Sequence, residues 1–151
     1  MRLLLILEDR VAELRAIVES ARRAGFDEFE ISERVIDARL YLEQAIRGKA
    51  RVPAALMIDL DRSLDAGCEV LRFRNSYPSL EAIPAIIWTL CGQREREISR
   101  SFGAVSVVSK DDDPNVLIGE LTTIVQNSVN GDGIARRAAL ELKTFATGDA
   151  S

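Results

Sequence analysis

Apolar residues gather in five short runs along the chain, and most are followed by a stretch whose apolar positions recur every three or four residues. Short β-branched runs read as strands, and the three-to-four spacing reads as one buried face of a helix. The first run, Leu3 to Leu7, is followed by Val11, Leu14, Val18 and Ala21, a helix that Gly25 ends. The second, Phe29 to Val35, alternates apolar Phe29 and Ile31 with outward Glu30 and Ser32, as a half-exposed edge strand would. Ala38, Tyr41, Leu42 and Ala45 mark the next helix.

The third run, Ala54 to Ile58, ends in Asp59; the fourth, Ile83 to Trp88, ends in Thr89; the fifth, Val105 to Val108, precedes Lys110. Val70, Phe73 and Tyr77 carry one intervening helix, and Ile98 and Phe102 another that Gly103 stops. Asp113-Pro114 opens the last helix of the core, with aspartate as N-cap and proline in the first turn; Leu117, Leu121, Ile124 and Val125 are its buried face. Repeated βα units predict an α/β fold, a doubly wound five-stranded parallel sheet with helices on both faces. Residues 1–130 form the domain. Residues 131–151, after the turn Asn130-Gly131-Asp132-Gly133, are a C-terminal extension in which Ile134, Ala138, Leu142 and Phe145 suit a short extra helix before a disordered end.

Composition narrows the function classes. The 151 residues suffice for one self-sufficient core, with 47% apolar and 29% charged residues arguing against disorder. The longest apolar runs fall far short of the roughly 20 residues a membrane span needs, and Glu8, Asp9 and Arg10 cut short the only segment resembling a signal peptide. A cytoplasmic protein is expected, with Cys68 and Cys91 as reduced thiols. The 20 basic residues are scattered and the net charge is −4, which argues against direct nucleic-acid binding. Histidine is absent, so a Ser-His-Asp triad and histidine metal ligation are excluded. Phosphorus chemistry, if present, must fall to a carboxylate.

Ligands of open α/β sheets bind outside the carboxyl ends of the strands, where the strand order reverses. Glu8 and Asp9 follow strand one, Asp59 ends strand three, Thr89 ends strand four and Lys110 follows strand five. In the flavodoxin-like order 2-1-3-4-5 those strands are neighbours, and the five side chains converge on one mouth. Three carboxylates repel one another, and Mg²⁺ relieves this because it takes oxygen ligands, commonly one or two carboxylates plus a phosphate oxygen. Lysine and threonine then add a charge and a donor for a phosphoryl group.

The segments LLLILEDR, LMIDLDRSLDAGCEVL, IPAIIWTL and VVSK, in that order, resemble the signature blocks of the response-regulator receiver family, over about residues 2 to 128. The resemblance implies a CheY-like phosphorylation switch rather than an enzyme. Asp59 would be the phosphoacceptor, Thr89 the switch hydroxyl and Lys110 the phosphate-contacting lysine. Glu8, Asp9 and Asp59, with the backbone carbonyl of Asp61, would hold Mg²⁺, and Gly67 falls where the family has a glycine. A sensor histidine kinase or phosphotransfer protein would donate the phosphoryl group, and a downstream protein effector would read the result. The helix before strand five, that strand and the helix after it would be the responsive surface and a homodimer contact.

Four positions depart from the family pattern: Asp111 replaces the proline after the lysine, Ser63 the proline four residues past the acceptor, Leu90 a small residue after the threonine, and Val107 an aromatic. They motivate a second reading, a pseudo-receiver that binds partners without phosphorylation. A third is a haloacid-dehalogenase-type phosphatase, because Asp59-Leu60-Asp61-Arg62-Ser63 resembles its DxDx[ST] nucleophile motif. Blander roles also exist. Glu8 and Asp9 could end a strand and cap a helix, Asp111 to Asp113 could be a capping cluster, Trp88 should point to the side of the sheet opposite Thr89, and Arg136, Arg137 and Lys143 in the tail are too few for a nucleic-acid footprint.

Overall fold

The computed structural model describes residues 1–59, 64–90, 92–103 and 105–128. Its elements follow as β1 (Leu3–Leu7), α1 (Val11–Ala24), β2 (Glu28–Ser32), α2 (Val35–Ile46), β3 (Ala55–Asp59), α3 (Leu64–Asn75), α4 (Pro78–Glu81), β4 (Ala85–Thr89), α5 (Gly92–Ser99) and β5 (Val105–Ser109). A last helix, α6, covers 114–128. All strand pairs are parallel, in the order β2-β1-β3-β4-β5.

Period-two alternation splits the core into two layers. Leu5, Leu7, Leu56, Ile58, Ala85 and Ile87 face Ala38 and Leu42 of α2, Val70, Leu71 and Phe73 of α3, and Leu80 of α4. Leu4, Ile6, Ala55, Met57, Ile86, Trp88 and Val108 face Ile17, Ala21 and Ala24 of α1 and Leu117 and Leu121 of α6. The expected doubly wound sheet is the observed one, because strands this uniformly apolar must be covered on both faces. No helix among the described residues is long and apolar enough to cross a membrane.

The helix signals act where expected. Gly25, at φ +111°, closes α1 by donating its N–H to the carbonyls of Ala21 and Arg22. An added Cβ there would meet Val125 only at ordinary contact distance, so the left-handed backbone demands glycine and space does not. Asp113 Oδ1 accepts the N–H of Asn115 at 2.8 Å and caps α6, while Asp112 Oδ2 accepts that of Ser109 at 3.2 Å and closes the turn after β5.

Three expectations are corrected. Strand two stops at Ser32, and Val35 opens α2. Ser32 points inward, 2% exposed, while Ile31 is 45% exposed; pairing with Leu7 puts Ser32 on the face that α2 covers. Tyr77 does not lie in α3, because Pro78 holds it extended, and its ring packs on Phe73 from outside the helix, centroids 5.1 Å apart. Of the stripe read for α1, Leu14, Val18 and Ala21 do pack on the core, whereas Val11 is 65% exposed and Ile17 and Ala24 join the buried face. The extension at 131–151 lies outside the described residues.

Candidate functional site

One strand parity turns polar at or just past the carboxyl ends of β1, β3 and β5, and in β4 it ends on Trp88. Leu4 and Ile6 lead to Glu8, Ala55 and Met57 to Asp59, Ile86 to Trp88, and Val108 to Lys110. Glu8 is 1% exposed and Asp59 5%. Lys110 Nζ donates to Asp59 Oδ1 at 3.1 Å and to Glu13 Oε2 at 3.0 Å, with its side chain 6% exposed. The same ammonium lies 5.0 Å from the centroid of the Trp88 ring, a cation–π distance.

Glu8 Oε1 accepts the backbone N–H groups of Asp9 and Arg10, each at 3.0 Å. The carboxylate thereby shapes the turn into α1, whose N-cap Arg10 contributes no side-chain cap. Oε2 is buried with no donor on it, and Asp59 Oδ2 is likewise sealed from solvent. Burial, followed by the contact with Asp59, pushes the Glu8 carboxyl up from 4.5 to about 8; Glu13 adds to the rise and the Arg10 N–H opposes it.

Glu8, Asp59 and Lys110 are thus brought together. Thr89, fully buried, ends the other strand parity, beyond Ile87, and its carbonyl accepts the Lys110 N–H at 2.8 Å. Trp88 does point away from Thr89, but that turns it toward Lys110. Asp9 is exposed in the β1–α1 loop and is not part of the carboxylate trio. Asp61 and Ser63 lie outside the described residues, as does Cys91, while Cys68 is a buried free thiol. Leu90 is 54% exposed, Val107 is half-buried and Asp111 is exposed.

Glu13 escaped the sequence reading. A signal for it exists: Glu13, Ile17 and Ala21 recur at intervals of four, so Glu13 heads the stripe that α1 turns toward the sheet. One carboxylate oxygen each from Glu8, Glu13 and Asp59 lie within 4.8 Å of one another. Hard oxygen donors at that spacing, one of them buried with no donor, fit a divalent cation, since oxygens on opposite sides of Mg²⁺ stand about 4.2 Å apart.

The order of the sheet defines a flavodoxin-like doubly wound α/β domain, and the acidic mouth lies at its switch point. No protein-family model matches the sequence, and the search of curated proteins finds no match either. Solved structures do match. The Mn²⁺-bound form of response regulator Rcp1 aligns at TM-score 0.64 and 23% identity, covering 82% of this chain and 91% of that one. Response regulator RPA3017 in red light signalling of R. palustris aligns at 0.65 and 17%, covering 82% and 91%. Vibrio cholerae chemotaxis protein CheY4 aligns at 0.65 and 18%, covering 82% and 98%. The fold of this chain is that of the response-regulator receiver domain.

Proposed function

We propose that the chain is a phosphorylation-dependent signalling switch that accepts a phosphoryl group on Asp59 from a partner phosphohistidine. The observation that carries this reading is the ammonium of Lys110 set 3.1 Å from the Asp59 carboxylate at the switch point of the sheet. An Asp59 oxygen would attack phosphorus, the P–N bond would break as the acyl-phosphate P–O bond forms, and the departing imidazole would take its proton from water. Lys110 would shift from the carboxylate to a phosphoryl oxygen, and the Thr89 hydroxyl would donate to another, stabilising the equatorial charge.

Mg²⁺ would be held by Glu8 and Asp59, with Asp9 and the Asp61 carbonyl as the ligands that the sequence pattern adds. When bound it neutralises the charge that builds on the phosphoryl oxygens. That a solved structure of the similar Rcp1 is Mn²⁺-bound supports the binding of a dication. A sensor kinase or phosphotransfer protein would supply the phosphoryl group, and a protein effector in the cytoplasm would read the change on α5, β5 and α6, also the surface for a homodimer.

The enclosure of Asp59, its side chain 1% exposed beneath Lys110, favours the second reading, partner binding without phosphorylation. Intact mass after incubation with acetyl phosphate and Mg²⁺ separates the two. The wild type is expected to gain one phosphoryl group and Asp59→Asn none; an unchanged wild-type mass overturns the switch. Asp61→Asn should leave the gain in place, whereas loss of phosphate-ester turnover in that variant would point to the phosphatase reading.

A further inference from the structure

The geometry points to Glu13 as a third carboxylate ligand of the mouth cation, a role that α1 adds to the acids supplied by the strand ends. The inference rests on the receiver reading and deepens it. Two independent observations converge. Glu13, Glu8 and Asp59 each place an oxygen within 4.8 Å of the others. Glu8, 99% buried by its 1% exposure, turns an oxygen with no donor into that space.

Lys110 Nζ bridges Glu13 Oε2 and Asp59 Oδ1, so one ammonium faces three carboxylates. Three carboxyl oxygens within 4.8 Å of one another match the hard donor set a dication takes, which one ammonium cannot fill. Arg10, 3.5 Å from Glu13 Oε1 but 60% exposed, is screened by solvent and adds little. Ion entry and Lys110 therefore draw on the same Glu13 carboxylate. When the ion takes it, the lysine is freed toward Asp59 and whatever group Asp59 carries. Glu13 would thus couple cation loading to the freeing of the phosphate-contacting lysine.

Mn²⁺ titration of the full chain, followed by Trp88 fluorescence, tests this, because Trp88 is the only tryptophan and its ring borders Lys110. Glu13→Gln is expected to weaken Mn²⁺ binding by about tenfold or more, as loss of one charged ligand does. Glu19→Gln, on the exposed side of α1, should leave it unchanged. Repeating the Glu13→Gln titration in a Lys110→Met background separates a ligand from a residue acting through lysine. A ligand keeps its effect there, and disappearance of the effect overturns the inference. Circular dichroism confirms the fold of each variant, and calorimetric Mn²⁺ titration repeats the comparison for any variant with altered tryptophan emission. Wild-type affinity in Glu13→Gln overturns the inference and leaves phosphorylation of Asp59 standing. A wild type that binds no Mn²⁺ and gains no phosphoryl mass overturns both.

Discussion

Stability is expected to fall as pH rises from about 5 to about 8, and Glu8 is the reason. Its carboxyl titrates near 8 in the folded protein, against 4.5 for the ordinary side chain. Between those values the folded state holds a proton that the unfolded chain has released. Folding then binds protons, so its contribution is complete below the unfolded value, declines as pH rises and is gone above the folded one. One group can impose a slope of at most about 1.4 kcal/mol per pH unit while it titrates. Urea midpoints measured from pH 5 to 8.5 should decline in the wild type. They should be nearly flat in Glu8→Gln, and the decline should be shallower in Asp59→Asn, because Asp59 is the neighbour that helps retain the proton. Millimolar Mg²⁺ should restore midpoints most at the alkaline end if the proposed cation site is occupied, since the ion would bind the ionised carboxylates and only in the folded state. A wild-type midpoint that rises across this range would refute the assignment.

Arg74→Met is expected to cost about 3–5 kcal/mol of stability, since a buried cation and its hydrogen bonds vanish together. Arg74 is fully buried, and burial pulls its guanidinium below the usual arginine range. It donates to the carbonyls of Ile83, Phe102 and Gly103 at 2.9, 2.6 and 2.7 Å and to Asn75 Oδ1 at 2.9 Å. One side chain at the end of α3 thereby ties the loop entering β4 to the loop entering β5. Methionine fills much of the volume and satisfies none of those carbonyls. Lysine keeps the charge but lacks the planar fork, so Arg74→Lys should recover less than half of the loss. Denaturant unfolding measures the cost, and amide exchange should accelerate first around residues 83 and 102–103. A loss for Arg74→Met below about 1 kcal/mol, the worth of one ordinary hydrogen bond, would show that the clasp is dispensable.

Neither effect was legible in the linear pattern, although most of the frame was. Runs such as Ile83 to Trp88 announced strands because a parallel sheet buried on both faces tolerates nothing polar along its length. Gly25 and Asp113-Pro114 announced helix ends because their backbone requirements are local. Arg74 looked like any arginine on an amphipathic helix. Its carbonyl partners come from residues 9, 28 and 29 positions away, and no local rule connects them. Ser32 failed for a related reason: alternation gives two faces but not which one a neighbouring helix will cover.

The amino-acid sequence by itself determined the alternation of strands and helices, the placing of Glu8, Asp59 and Lys110 at strand ends, and the family resemblance that made them one site. The first two follow from period-two and period-3.6 patterning, which depends only on neighbours along the chain; the resemblance rests on the four matching segments. Tertiary structure alone decided that Glu13 joins the mouth while Asp9 turns outward, that Lys110 is shared between two acids above the Trp88 ring, and that Glu8 keeps an oxygen buried without a donor. The physical reason is the roll of α1 about its own axis. That rotation is set by packing Ile17, Ala21 and Ala24 on β1 and β3, and it turns Glu13, the acid of the first turn, toward the sheet.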